Sequence, residues 1–150
     1  MTHLELREAV KQALKAHEEK RLLVLRGLLS AATNELVAKG RKPDGELAEE
    51  ELMMLIRRGT KQRKDSIEQF TRGGREDLAA NERAELAILE ALLPPDVSRD
   101  EIEKMAREKA VALGITDKTK ANQLMGALMK DLKGKADGTV VKEVVEHLLA

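Results

Sequence analysis

Arginine and lysine gather twice in this chain, and both gatherings carry the chemistry to hold a phosphate. Residues 57–64 read RRGTKQRK, so Arg57, Arg58, Lys61, Arg63 and Lys64 place five cations in eight positions. On a helix Arg57, Lys61 and Lys64 share one face, at i, i+4 and i+7. The second gathering lies in LMKDLKGKADG at 128–138, which holds Lys130, Lys133 and Lys135. Guanidinium and ammonium groups donate hydrogen bonds and accept none, which suits them to phosphate oxygens.

Each gathering also has a plainer reading. RRGTKQRK works as a solvated helix face, helped by Lys61–Asp65 and Lys64–Glu68 pairs at i, i+4. Two features speak for a binding face. Positions 57–66 hold no large apolar side chain, so this part of the helix is expected to stand clear of the core. Gly59 would cost about 1 kcal/mol relative to alanine inside a helix, which suggests a close backbone approach there. In the second gathering, Gly134 sits where a helix end wants positive φ, and Asp137 where an N-cap wants a side-chain oxygen. A phosphate at the last helix start would meet free N–H groups, but the Asp137 carboxylate would compete for them. RNA backbone contact, if any, would then fall to the lysines beside the loop.

No catalytic arrangement is visible. The chain has no G-x-S-x-G, no H-E-x-x-H and no G-x-x-x-x-G-K-[ST]. His3, His17 and His147 lack a base or ligand partner at useful spacing and read as exposed helix-end residues. Cysteine is absent, which excludes disulfides, thiolate metal sites and cysteine nucleophiles. No cofactor or metal is implied.

The elements that must position these lysines are helical. Thr2 with Glu5 and Ser98 with Glu101 make capping boxes. Leu6, Val10 and Leu14 mark a first helix face; Leu22, Leu25, Leu29, Ala32 and Leu36 mark a second. Leu52, Leu55, Ile56, Ile67 and Phe70 mark a third, and Leu86, Leu89 and Leu93 a fourth. Pro94-Pro95 is the best boundary in the chain. Beyond it follow three shorter stripes: Ile102 to Leu113, Leu124 to Leu132, and the paired valines and leucines of 140–149. The expectation is an all-α protein with about four helices in 1–95 and a small three-helix domain in 96–150.

Composition narrows the partners. The 150 residues hold 27 basic and 27 acidic side chains, so there is no global basic excess to attract nucleic acid, and only a local patch could bind it. Phe70 is the sole aromatic residue, which leaves no platform for stacking single-stranded bases. No apolar run nears the roughly 20 residues of a membrane span. MTHLELREAV has no signal-peptide core. A soluble cytoplasmic protein with no membrane partner is expected.

KQRKDSIEQF at 61–70, ILEALLP at 88–94 and LMGALMKDLKGKADGTVVKEVVEHLL at 124–149 together resemble the GatB/YqeY family. The likeness is closer to the free-standing YqeY-like proteins than to the amidotransferase subunit, because the loop reads GKADG where that subunit's tail tends to read GKANP. The resemblance implies an all-α fold ending in a three-helix domain. It also implies an accessory role in binding tRNA or other structured RNA, beside the tRNA-dependent amidotransferase. The family label, carbon–nitrogen ligase with glutamine as amido-N-donor, would follow the name. The catalytic parts of that enzyme are missing here, so catalysis by this chain alone is not expected. Gly126, Lys133, Gly134, Lys135 and Ala136 map onto the family's tail motif; Asp137-Gly138 departs from it. DNA is not an expected partner. The alternative is a protein-interaction adaptor, docking through Met125, Met129 and the apolar stripe of 140–149.

Overall fold

The start of the first helix shows how local chemistry sets the elements. Thr2 Oγ1 accepts from the Glu5 N–H at 3.1 Å, and Glu5 Oε2 accepts from the Thr2 N–H at 2.7 Å. This reciprocal box opens α1, His3–Lys15. In a computed structural model describing residues 1–150, α1 is followed by α2 (Glu19–Ala38), α3 (Glu49–Arg72) and α4 (Glu76–Glu90). Then come α5 (Arg99–Leu113), a 3-10 turn (Lys118–Lys120), α6 (Ala121–Leu132) and α7 (Gly138–Leu148). There is no strand; the fold is all-α.

The chain divides into two units, Met1–Leu93 and Pro94–Ala150. In the first, Leu6, Leu25, Leu36, Leu52 and Ile56 are fully buried, with Leu28, Leu55 and Leu89 against them. Glycines punctuate the helices. Gly40 ends α2 at φ +69, and Gly74 turns the chain between α3 and α4 at φ +71. Positive φ at these points is strained for a residue with a Cβ. In the second unit, Ile102, Leu124, Leu128 and Val141 form the centre, closed by Leu132, Val144 and Val145. Both cores are aliphatic; Phe70 is only half-buried.

Three expectations are corrected. Leu14 is 52 % exposed, and Ala13 takes the buried position on α1. Leu113, read as part of the α5 stripe, is 41 % exposed. The stretch 57–66 does not stand clear of the core. Thr60 within it is buried, and α3 packs along α4 through this region. Gly59 does permit a close approach, but the neighbour is internal. A Cβ there would lie 3.3 Å from Leu89 Cδ1 of α4.

Candidate nucleic-acid interface

α3 holds the first cationic gathering in the middle of a 24-residue helix. Arg58 Nη1 lies 3.2 Å from Glu35 Oε2 on α2. Arg63 Nη1 lies 2.8 Å from Glu85 and 3.4 Å from Glu82, both on α4. Lys64 Nζ lies 3.4 Å from Glu90 Oε1. Lys61 is exposed, and Arg57 is half-buried. The pairs expected within α3, Lys61–Asp65 and Lys64–Glu68, are replaced for Lys64 by a partner on α4. The pairs of Arg58 and Lys64 are exposed and individually weak, whereas those of Arg63 are half-buried. What matters for a polyanion is the field, and four glutamates standing among five cations cancel most of it.

The second gathering is built differently. α6 ends at Lys133, which adopts the left-handed conformation at φ 50, and Gly134 follows at φ 77. Two successive left-handed residues turn the chain sharply. Leu132, Gly134 and Ala136 then face inward, while Lys133 and Lys135 face out. The Lys135 N–H donates to the Leu132 carbonyl at 2.9 Å, and the Lys135 carbonyl accepts from the Val97 N–H at 2.8 Å. The loop is thus pinned on both sides with its lysine side chains outward. Lys130, in the last turn of α6, is exposed as well.

Two acids of this stretch are committed elsewhere. Asp131 is held by Lys109 at 2.6 Å. Asp137 caps α7, its Oδ1 accepting from the Thr139 N–H at 2.9 Å. That cap takes one of the N–H groups a phosphate would need, and its negative charge opposes an anion at the helix start. Lys130 and Lys135 stand in no ion pair.

The expected protein-docking residues belong to the core. Met125 and Met129 are partly buried against the second unit's own cluster, as are Val140 and Leu148. His3, read as exposed, is buried, with its Nδ1 accepting from the Leu47 N–H. No group of three or more His, Asp or Glu side chains converges as a metal site.

One feature escaped the sequence. A groove of about 520 Å³ lies among α2, α3 and α4, lined by Val24, Leu28, Leu55 and Leu89 together with Arg58 and Arg63. Gly27 opens onto it, and a Cβ there would meet nothing within 4 Å. The one signal in the sequence that could have pointed to it is Gly27, a glycine inside the leucine-rich stretch LLVLRGLL.

The all-helical fold is what the quoted motifs lead one to expect. The model of the YqeY-like proteins matches residues 3–149. The chain belongs to the YqeY-like family. Its curated relatives include proteins named "Altered inheritance of mitochondria protein 41, mitochondrial". That of Pyrenophora tritici-repentis is 28 % identical over 96 % of this chain and 78 % of its own length. That of Saccharomyces cerevisiae is 31 % identical over 88 % of this chain and 68 % of its own. A third, from Lachancea thermotolerans, is 37 % identical over 59 % of this chain and 46 % of its own. Their names say mitochondrial of them. In this YqeY-like chain no helix is long and apolar enough to cross a membrane.

Proposed function

We propose that this YqeY-like protein is an accessory module that holds folded RNA of the tRNA kind by its backbone. The second unit does the gripping, and no bond-making step is its own. One observation carries the reading. Lys130, Lys133 and Lys135 all face out around the end of α6, while the acids among them, Asp131 and Asp137, are turned to Lys109 and to the α7 backbone. Such a patch contacts phosphates without reading bases. The candidates Arg57, Arg58, Lys61, Arg63 and Lys64 are not part of the proposed grip, because three of them, Arg58, Arg63 and Lys64, are paired with glutamates of α2 and α4. A place beside the tRNA-dependent amidotransferase, and a cytoplasmic location, belong to the same proposal.

A gel shift with bulk tRNA across a salt series tests it. Wild type should bind at about 50 mM salt and weaken steeply by about 200 mM. Changing Lys133 and Lys135 together to Glu should abolish the shift at the lower salt. No binding by wild type at the lower salt ends the reading. Equal affinity in wild type and double variant moves the grip elsewhere.

The adaptor reading now has the groove among α2, α3 and α4 as its support, since the methionines expected to dock a partner pack inward. A defined protein recovered with this chain after RNase treatment, without tRNA binding, would favour it.

A further inference from the structure

Three glycines stand inside helices, and they differ in what surrounds them. Gly59 is explained by Leu89, which a Cβ would crowd. Gly27 opens onto the groove among α2, α3 and α4, where nothing else shows what would fill it. Gly126 lies in the middle of α6, exposed, and a Cβ there would meet nothing within 4 Å. Alanine is the better helix former at such a position. The protein's own packing therefore makes no use of this glycine.

Its surroundings are specific. Asn122, Gly126 and Lys130 fall at i, i+4 and i+8, all exposed, opposite the buried Leu124, Leu128 and Leu132. Lys133 follows one turn on, at the C-cap. The strip is polar and cationic. The large exposed apolar residues of this unit, Val111 and Leu113, are both on α5. Met125 and Met129, beside the strip, are turned to the core. A face with amide and ammonium groups but no apolar knob suits a hydrated polyanion better than a partner helix, whose contact would need apolar burial.

We propose that the exposed face of α6 is the track along which the RNA strand lies, with Gly126 the point where the sugar-phosphate backbone approaches the helix most closely. The inference rests on the RNA reading above and adds a line of contact to it. Asn122 supplies an amide that can donate to a ribose or phosphate oxygen, and Lys130 and Lys133 neutralise phosphates further along. The missing side chain at Gly126 removes the bulk that would hold the strand away. From Asn122 to Lys133 the track runs for about 16 Å of helix.

The test uses the full chain with Gly126→Ala and Gly126→Leu. Gly126→Ala should raise the melting temperature, so weaker binding cannot be blamed on unfolding. Its tRNA affinity at about 50 mM salt should nevertheless fall, and that of Gly126→Leu should fall about tenfold or more, with the salt slope unchanged because no charge is removed. Wild-type binding that both variants keep in full overturns this inference and leaves the RNA reading standing. Absence of wild-type binding ends both. Poly-glutamate bound as tightly as tRNA, and equally sensitive at Gly126, assigns the face to an acidic protein and overturns the RNA track.

Discussion

The Leu47 N–H donates to Nδ1 of His3 at 3.1 Å, across 44 residues of chain, with both residues buried. This bond ties the start of α1 to the segment joining α2 and α3. It requires His3 to be neutral, with its proton on Nε2, since a protonated Nδ1 would face another donor. Burial first, and the Arg7 charge second, hold the His3 pKa below its ordinary 6.5; Glu46 opposes them weakly. A depressed folded-state value means the unfolded chain takes up the proton more readily. Stability is therefore full above about pH 6.5 and declines as the pH falls from there through the folded value. Urea midpoints at about pH 7.5 and pH 5.5 should differ, with the acid one lower. His3→Asn, whose side-chain oxygen can take the place of Nδ1, should flatten that difference. A pH response unchanged in the variant would rule His3 out as its source.

Glu51 anchors the other side of the same segment. Its carboxylate accepts from Lys39 Nζ at 2.7 Å, Arg41 Nη1 at 2.8 Å and the Ala48 N–H at 2.8 Å. Ala48 has no side-chain acceptor, so Glu51 provides the one available half of a capping box for α3. These bonds pull its pKa from 4.5 to about 2. The stabilisation is present above about pH 4.5 and lost as the pH falls towards 2. Glu51→Gln should lower unfolding free energy at neutral pH by about 1–2 kcal/mol. Below pH 4.5 the gap to wild type should close. A constant gap across that range would mean the charge plays no part.

Much of this organisation was legible in the chain. The Thr2–Glu5 and Ser98–Glu101 boxes mark helix starts through contacts three residues apart, and Leu124, Leu128 and Leu132 mark a buried face by spacing alone. What was not legible needed partners far away. Lys64 chooses Glu90 over the nearby Glu68, and Arg63 chooses Glu82 and Glu85, because α4 folds back along α3. His3 looked like a helix-end residue because Leu47, which covers its Nδ1, is 44 positions on. The loop lysines were found in sequence, but not their outward direction, which follows from the left-handed Lys133 and the Val97 bond.

The glycines of the first unit separate helix propensity from packing. At Gly27 an added Cβ meets open space, so Gly27→Ala should stabilise by about 1 kcal/mol. At Gly59 the same gain is opposed by Leu89 Cδ1 at 3.3 Å. Gly59→Ala should therefore gain clearly less than Gly27→Ala, or lose stability if α4 cannot yield. Urea titration of the two variants in parallel decides it. Equal stabilisation would show that Leu89 moves aside freely.

Asp137 sits among the lysines of the proposed grip yet serves the backbone of α7, and the two roles can be separated. Asparagine caps a helix about as well as aspartate, so Asp137→Asn should keep the bond to the Thr139 N–H. Losing the charge at a helix N-terminus costs about 0.3–1 kcal/mol, a small drop in melting temperature. The same change removes a negative charge two residues from Lys135. If phosphates come within about 10 Å of the loop, tRNA affinity should rise at low salt, and the advantage should fade as salt is added. Asp137→Ala gives the control: it removes the same charge and also the cap, so it should lose about 1 kcal/mol while gaining comparable affinity. Affinity that stays level in both variants would place the bound strand beyond the reach of this loop, and the grip would then have to be sought away from Lys133 and Lys135.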